Sequence, residues 1–292
     1  MQRLTYYFFI SFVYLIGVLP FSVLYLFSFK VYILLYYVFR YRKKVVYSNL
    51  SKAFPEKSDK EIKTLAKNFY KHLADIFIES LKGFSMSHEE IVRRYKIINV
   101  GLLDEYVKTG KPVILIGGHY GNWEWGSMAG GLQSKCPLVI FYKPLSNKYI
   151  NDYMIKSRSR CGTIMASIAR TYQTFKNQTA TPSFFLLIAD QCPSRLDKAY
   201  WIDFLGIETA FLHGPEQYCR KLNYPAFFVD IKRVKRSFYE LELFPIIDHP
   251  DDLPEGEITA RYAKLLEARI RKEPEYWLWS HRRWKHERNQ NK

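Results

Sequence analysis

The stretch Ile116-Gly117-Gly118-His119-Tyr120-Gly121-Asn122-Trp123-Glu124 decides how this chain is read. It closes a short apolar run, Val113–Gly117, bounded by glycine on its far side. Such a run reads as a buried strand. Gly117, Gly118 and Gly121 then permit a tight turn and the close approach of a ligand. Asn122 is a good N-cap, so a helix is expected to start directly after it. The unit is strand, glycine loop, helix. In open α/β sheets, sites gather beyond the carboxyl ends of strands. His119 is therefore expected on the loop and Glu124 in the first helical turn.

Working outward, the same grammar repeats. Leu138–Tyr142 and residues 184–189 are further apolar runs separated by polar, helix-compatible stretches. With residues 113–117 they predict a largely parallel sheet joined by crossovers. Residues 226–234 and 238–244 are separated by a short charged turn and read as a hairpin. Ser58-Asp59-Lys60-Glu61 has the form of a capping box. Ile62, Leu65, Phe69, Leu73 and Ile76 follow at helical spacing, with Lys60, Lys63, Lys67 and Lys71 on another part of that helix. That basic stripe suits either water or anionic headgroups. Glu257–Lys272 reads as a helix that Pro274 ends. The expected fold class is α/β, a largely parallel central sheet flanked by helices.

The N-terminus has a different character. Residues 6–29 hold no charged side chain, and residues 31–39 are apolar again after Lys30. About 20 apolar residues suffice to cross a bilayer core. Arg40, Arg42, Lys43 and Lys44 follow at once, and basic flanks favour the cytoplasmic side. Large aromatics and the length of the stretch argue against a cleaved signal. We expect a retained hydrophobic membrane-anchor helix with a basic flank in residues 1–44, then one catalytic domain in residues 45–292. Pro20, with Gly17 nearby, leaves open whether the anchor spans the bilayer or dips into one leaflet.

The formal charge of +16, from 44 basic and 28 acidic side chains, implies acidic partners. No nucleic-acid-binding motif accompanies it, so nucleic acid is not expected as a partner. Cys136, Cys161, Cys192 and Cys219 form no CxxC pair, which points to reduced thiols rather than a metal site or a disulfide framework. A zinc-protease motif would place two histidines one helical turn apart, and this segment has one. No metal or organic cofactor is implied.

His119 and Glu124 carry the chemistry. A hydroxyl is a weak nucleophile at neutral pH, and a neutral imidazole can take its proton as it attacks a thioester carbonyl. A carboxylate on the other ring nitrogen fixes the tautomer and steadies the imidazolium. No nucleophilic serine or cysteine is then needed.

The glycine-framed His-x4-Glu segment resembles the His-x4-Asp/Glu signature of glycerolipid acyltransferases. It is most similar to the Glu form in the late (secondary) acyltransferases of lipid A biosynthesis, the lauroyl and myristoyl transferases. The resemblance extends over most of the chain. Phe141-Tyr142-Lys143-Pro144 is similar to a family segment in which arginine usually precedes the proline; Lys143 keeps the charge but loses the bidentate fork. Arg158 and Arg160 fall where the family carries an arginine–glycine arrangement, which implies that one of them binds phosphate or stabilises the developing oxyanion. Asp190-Gln191 matches the family's Asp-Gln pair, with Asp190 orienting an arginine or the acceptor, or serving the turn. Phe204-Leu205-Gly206 and His213-Gly214-Pro215 resemble the next block, although Glu216 and Gln217 stand where small or apolar residues are usual. His213 is read as packing its loop. In His281-Arg282-Arg283-Trp284-Lys285, which matches the family's terminal pattern, Arg282 and Arg283 are expected to grip phosphates.

The resemblance implies a glycerolipid acyltransferase-like fold at the inner membrane, catalytic domain on the cytoplasmic face. It implies transfer of an acyl chain to a hydroxyl of a lipid A precursor. Acyl carrier protein, an acidic protein suited to the positive charge, is the favoured donor and acyl-CoA the competitor. A lysophospholipid or aminolipid acceptor uses the same groups. A non-catalytic anionic-lipid-binding membrane protein would leave His119 and Glu124 idle.

Overall fold

The computed structural model describes residues 1–177 and 182–288. The chain opens with α1 (Gln2–Val18) and α2 (Phe21–Ile33), broken at Leu19 and Pro20; α2 runs on as a π-turn over Leu34–Val38. Then come α3 (Lys43–Ala53), α4 (Asp59–Gly83), α5 (His88–Arg94), β1 (Tyr95–Ile97) and α6 (Asp104–Thr109). The centre holds β2 (Val113–Gly117), α7 (Trp123–Gln133), β3 (Leu138–Tyr142), α8 (Lys148–Ser159), β4 (Thr163–Ser167), α9 (Thr171–Asn177) and β5 (Phe184–Ile188). The chain continues through β6 (Tyr200–Phe204), β7 (Ile207–Phe211), α10 (Gly214–Leu222), β8 (Ala226–Lys235), β9 (Phe238–Ile247) and α11 (Glu257–Lys272).

Seven strands form the main sheet in the order β1-β9-β8-β2-β5-β3-β4, and β6 and β7 make a separate antiparallel pair. All main-sheet pairings are parallel except the β8–β9 hairpin. The central strand β2 is buried along its whole length, which is why it lacks alternation. The fold is therefore the α/β arrangement expected, and the hairpin and α11 fall where the sequence puts them.

Local chemistry sets the helix ends. The capping box closes α4: Ser58 N–H donates to Glu61 Oε2 at 2.8 Å, and Glu61 N–H to Ser58 Oγ at 3.4 Å. For α11 the cap comes from elsewhere in the chain. Glu216 of α10 accepts from Gly256 N–H at 2.6 Å, Thr259 N–H at 2.9 Å and Thr259 Oγ1 at 2.6 Å. A buried carboxylate at a helix N-terminus meets both the free N–H groups and the helix dipole. That accounts for glutamate where a small residue was expected.

Only Phe21–Val38 is long and apolar enough among the described helices to cross a membrane, judged by length and composition. Both N-terminal helices rest on α4. Lys82 Nζ donates to the free carbonyls of Gly17 and Leu19 at 2.5 and 2.9 Å, closing the end of α1. From α2, Ser28 Oγ donates to Asp75 at 2.5 Å and Tyr25 OH to Glu79 at 2.7 Å. Asp75 is also gripped by Arg233 and Arg236.

Glu79 links three regions. Besides Tyr25, it accepts from Tyr239 OH of β9 at 2.7 Å and from Asn122 Nδ2, the N-cap of α7, at 2.8 Å. It is 1% exposed, and burial pushes its carboxyl above the ordinary range against the pull of Arg233. Glu79→Ala would leave these donors buried without an acceptor, each at about 1–3 kcal/mol. The expected loss of stability is about 3 kcal/mol or more, read from denaturation midpoints of the full chain in detergent. A loss under about 1 kcal/mol would remove this carboxylate from the account of how α2, α4 and α7 are held together.

Candidate active site

Strand register assembles the site. β2 and β5 are neighbours, and Gly117 pairs with Ile188. Two residues further along each chain stand His119 and Asp190, so parallel pairing delivers them side by side beyond the strand ends. Ala189 N–H still donates to Gly117 O at 3.0 Å, carrying the pairing one step past the strands. His119 Nδ1 lies 2.7 Å from Asp190 Oδ1, and His119 N–H donates to Asp190 Oδ2 at 2.8 Å. Trp277 Nε1 donates to the same Oδ2 at 2.8 Å.

The network assigns the tautomer. An ionised Asp190 calls for a proton on Nδ1, which leaves the lone pair on Nε2. The Gln191 amide nitrogen sits 3.3 Å from that Nε2, as a hydroxyl donor would. Burial works against the imidazolium, yet Asp190, with a smaller contribution from Glu124, raises His119 above the ordinary histidine value. Burial works against the Asp190 carboxylate too, and His119 with Trp277 holds it below the ordinary range. The two shifts agree: a 3%-exposed carboxylate stays charged beside a 21%-exposed histidine side chain.

The loop is built to hold this geometry. Gly121 has φ +57°, and a Cβ there would lie 2.6 Å from Ile231 Cγ2, so only glycine fits. The C-terminal segment runs alongside and braces the turn: Leu278 N–H donates to His119 O at 3.1 Å and Gly121 N–H to Tyr276 O at 3.0 Å. Asn122 caps α7, its Oδ1 accepting from Trp125 N–H at 3.0 Å.

Glu124 occupies the first turn of α7 as the sequence implies, but its carboxylate is ion-paired to Arg158 of α8. The orienting position expected for Glu124, at the second nitrogen of His119, is held by Asp190 instead. The physical reason is strand order. β5 lies directly beside β2, whereas the α7 turn aims Glu124 toward the end of α8.

A cleft of about 670 Å³ opens in front of His119. His119, Glu124, Arg158, Lys143 and Gln191 stand on its polar side. Met154, Ile155, Met165, Leu186, Leu187 and Tyr218 add an apolar lining. His213 also lines it, a position the sequence reading treated as loop packing only.

The other predicted residues divide. Arg158 reaches the cleft, while Arg160 turns to α4 and donates to Gly83 O at 3.0 Å and Met86 O at 2.7 Å. Arg282 is exposed, whereas Arg283 is 1% exposed. The Arg283 guanidinium lies 4.4 Å over Phe211 and donates to Ala210 O at 2.7 Å; burial lowers its pKa to about 10. The terminal segment turns Arg283 inward and leaves Arg282 outside. His281, not singled out from sequence, accepts from Cys192 N–H at 3.0 Å, next to Gln191.

A cleft-lining imidazole whose other ring nitrogen meets a carboxylate has the geometry of a general base. The model of the bacterial lipid A biosynthesis acyltransferases matches residues 1–286, and the chain belongs to that family. It is similar to the lipid A biosynthesis palmitoleoyltransferase of Escherichia coli K12, 21% identical over 248 residues covering 84% of this chain and 79% of that one. The lipid A biosynthesis acyltransferase of Shigella flexneri matches with the same identity and coverage.

Proposed function

We propose that this acyltransferase moves a fatty acyl chain from an acyl thioester, acyl carrier protein being the favoured donor, to a hydroxyl of a lipid A precursor. The observation that carries the reading is His119, fixed at Nδ1 by Asp190, with Nε2 left to face an apolar-walled cleft. Nε2 takes the proton of the acceptor hydroxyl as its oxygen attacks the thioester carbon. The oxyanion then collapses, the C–S bond breaks, and the leaving thiolate takes the proton back from the imidazolium. The products are an ester and a free thiol. Arg158, held at the cleft by Glu124, is the cation placed to stabilise the oxyanion, and Lys143 at the rim adds positive charge. The apolar wall receives the acyl chain.

The protein works at the inner membrane with its catalytic body on the cytoplasmic face. Supporting this are the apolar helix at Phe21–Val38 and the basic run Arg40, Arg42, Lys43 and Lys44 just after it.

The test uses the purified full chain with a lipid A precursor and either acyl carrier protein or coenzyme A as thioester carrier. Mass spectrometry should show one added acyl chain, formed faster from the protein-bound donor. Acylation of a lysophospholipid with none on the lipid A precursor would overturn the acceptor assignment.

A further inference from the structure

The turn that joins the apolar N-terminal helices to α3 is densely cationic. Arg40, Arg42, Lys43 and Lys44 meet Arg282, which arrives from the C-terminal segment, around a cleft of about 750 Å³. Its other lining residues are Val45 and Tyr47, so no carboxylate balances the charge on its wall. Burial, and after it the neighbouring charges of Arg40, Lys63 and Lys67, push the Lys43 pKa down. Arg40 and Arg42 have φ of 49° and 47°, the left-handed region that side chains avoid. Among the described residues, neither Arg40 nor Lys44 makes a side-chain hydrogen bond or ion pair. Like charges held together, with two left unpaired, form a site that an anion completes.

Position says which anion. Arg40 of the cleft directly follows the exposed apolar residues Tyr37, Val38 and Phe39 in the chain. The cleft also touches the C-terminal segment that braces the catalytic loop. Arg42 Nη1 donates to Ser280 O at 3.1 Å, and Leu278 N–H donates to His119 O at 3.1 Å. The four steps from Leu278 to Arg282 span at most roughly 14 Å. One short segment thus carries both a brace of the His119 loop and a cation of this cleft.

Resting on the acyl-transfer reading above, we propose that this cleft binds a phosphate of the acceptor lipid and so positions its hydroxyl at His119. A concave site that follows exposed apolar residues in the chain suits an amphiphile's headgroup better than the acidic surface of a carrier protein, which needs a broad docking face.

The test compares the full chain in detergent with the double variant Arg40→Gln, Lys44→Gln. Among the described residues, neither side chain makes a hydrogen bond or ion pair on which the fold rests. Arg42 is left in place because it holds Ser280. The acceptor is supplied phosphorylated and, separately, after phosphatase treatment. With the phosphorylated lipid the variant should show about a tenfold higher KM and an unchanged kcat. With the dephosphorylated lipid it should match the wild type. Equal KM values on the phosphorylated lipid would overturn the proposal, as would a rise of the same size on both acceptors. A rise only in the KM for acyl carrier protein would reassign the cleft to the donor. Equal weakening of binding to phosphatidylglycerol vesicles would reassign it to the bulk membrane surface. Equilibrium binding of the phosphorylated acceptor is measured in parallel and should also weaken about tenfold. If the wild type transfers no acyl group but this binding difference remains, the transfer reading fails and the phosphate site stands.

Discussion

Replacing His119 by alanine is expected to lower acyl transfer by about 10²–10⁴-fold while the protein keeps its fold. The side chain is partly exposed and faces the cleft, so its removal leaves no sealed cavity in the core. What disappears is the only imidazole in the cleft whose second nitrogen is fixed by a carboxylate among the described residues; His213, also on the wall, has no such partner. The measurement is kcat for the added acyl chain by mass spectrometry, with circular dichroism to check the fold. A folded variant that kept more than about a tenth of wild-type turnover would show that proton removal by His119 is not the chemistry.

The second large effect is expected at Asp190. In Asp190→Asn the new amide can offer its N–H₂ to Nδ1, which moves the histidine proton to Nε2 and removes the acceptor lone pair. A rate loss of about 10²–10⁴-fold follows, larger than that of Glu124→Gln, which leaves Nδ1 paired. The pH profile gives an independent sign. In the wild type, Asp190 outweighs burial and holds His119 above the ordinary histidine value. The base is active when neutral, so the rate rises with pH through that raised pKa. Without the Asp190 charge, burial dominates and pushes the pKa down. The acid limb of residual activity should therefore move to lower pH. A limb that stays in place, or a greater loss from Glu124→Gln, would return the orienting role to Glu124.

These two predictions also separate what is local in this protein from what is not. The sequence alone determined the strand, glycine loop and helix around His119, the β8–β9 hairpin, the capped start of α4 and the span of α11. Each rests on signals within a few residues: apolar run length, helical spacing, a capping side chain, a proline. The apolar run at 184–189 also put Asp190 just past a predicted strand.

The partner of His119 was decided only by tertiary structure. His119-x4-Glu124 is a close neighbour in sequence, but β5 inserts between β2 and β3, so a residue 71 positions away supplies the carboxylate. Strand adjacency comes from long-range pairing, and no local periodicity encodes it. The terminal motif behaves likewise. Arg282 and Arg283 read alike as charges, yet one joins the cationic cleft and the other lies buried over Phe211. Arg158 and Arg160 are parted in the same way, one facing the cleft and one the end of α4. Glu216, an anomaly in sequence, is the cap of a helix 40 residues away. In each case the residue type fixed the chemistry on offer, and the packing of distant segments chose the partner.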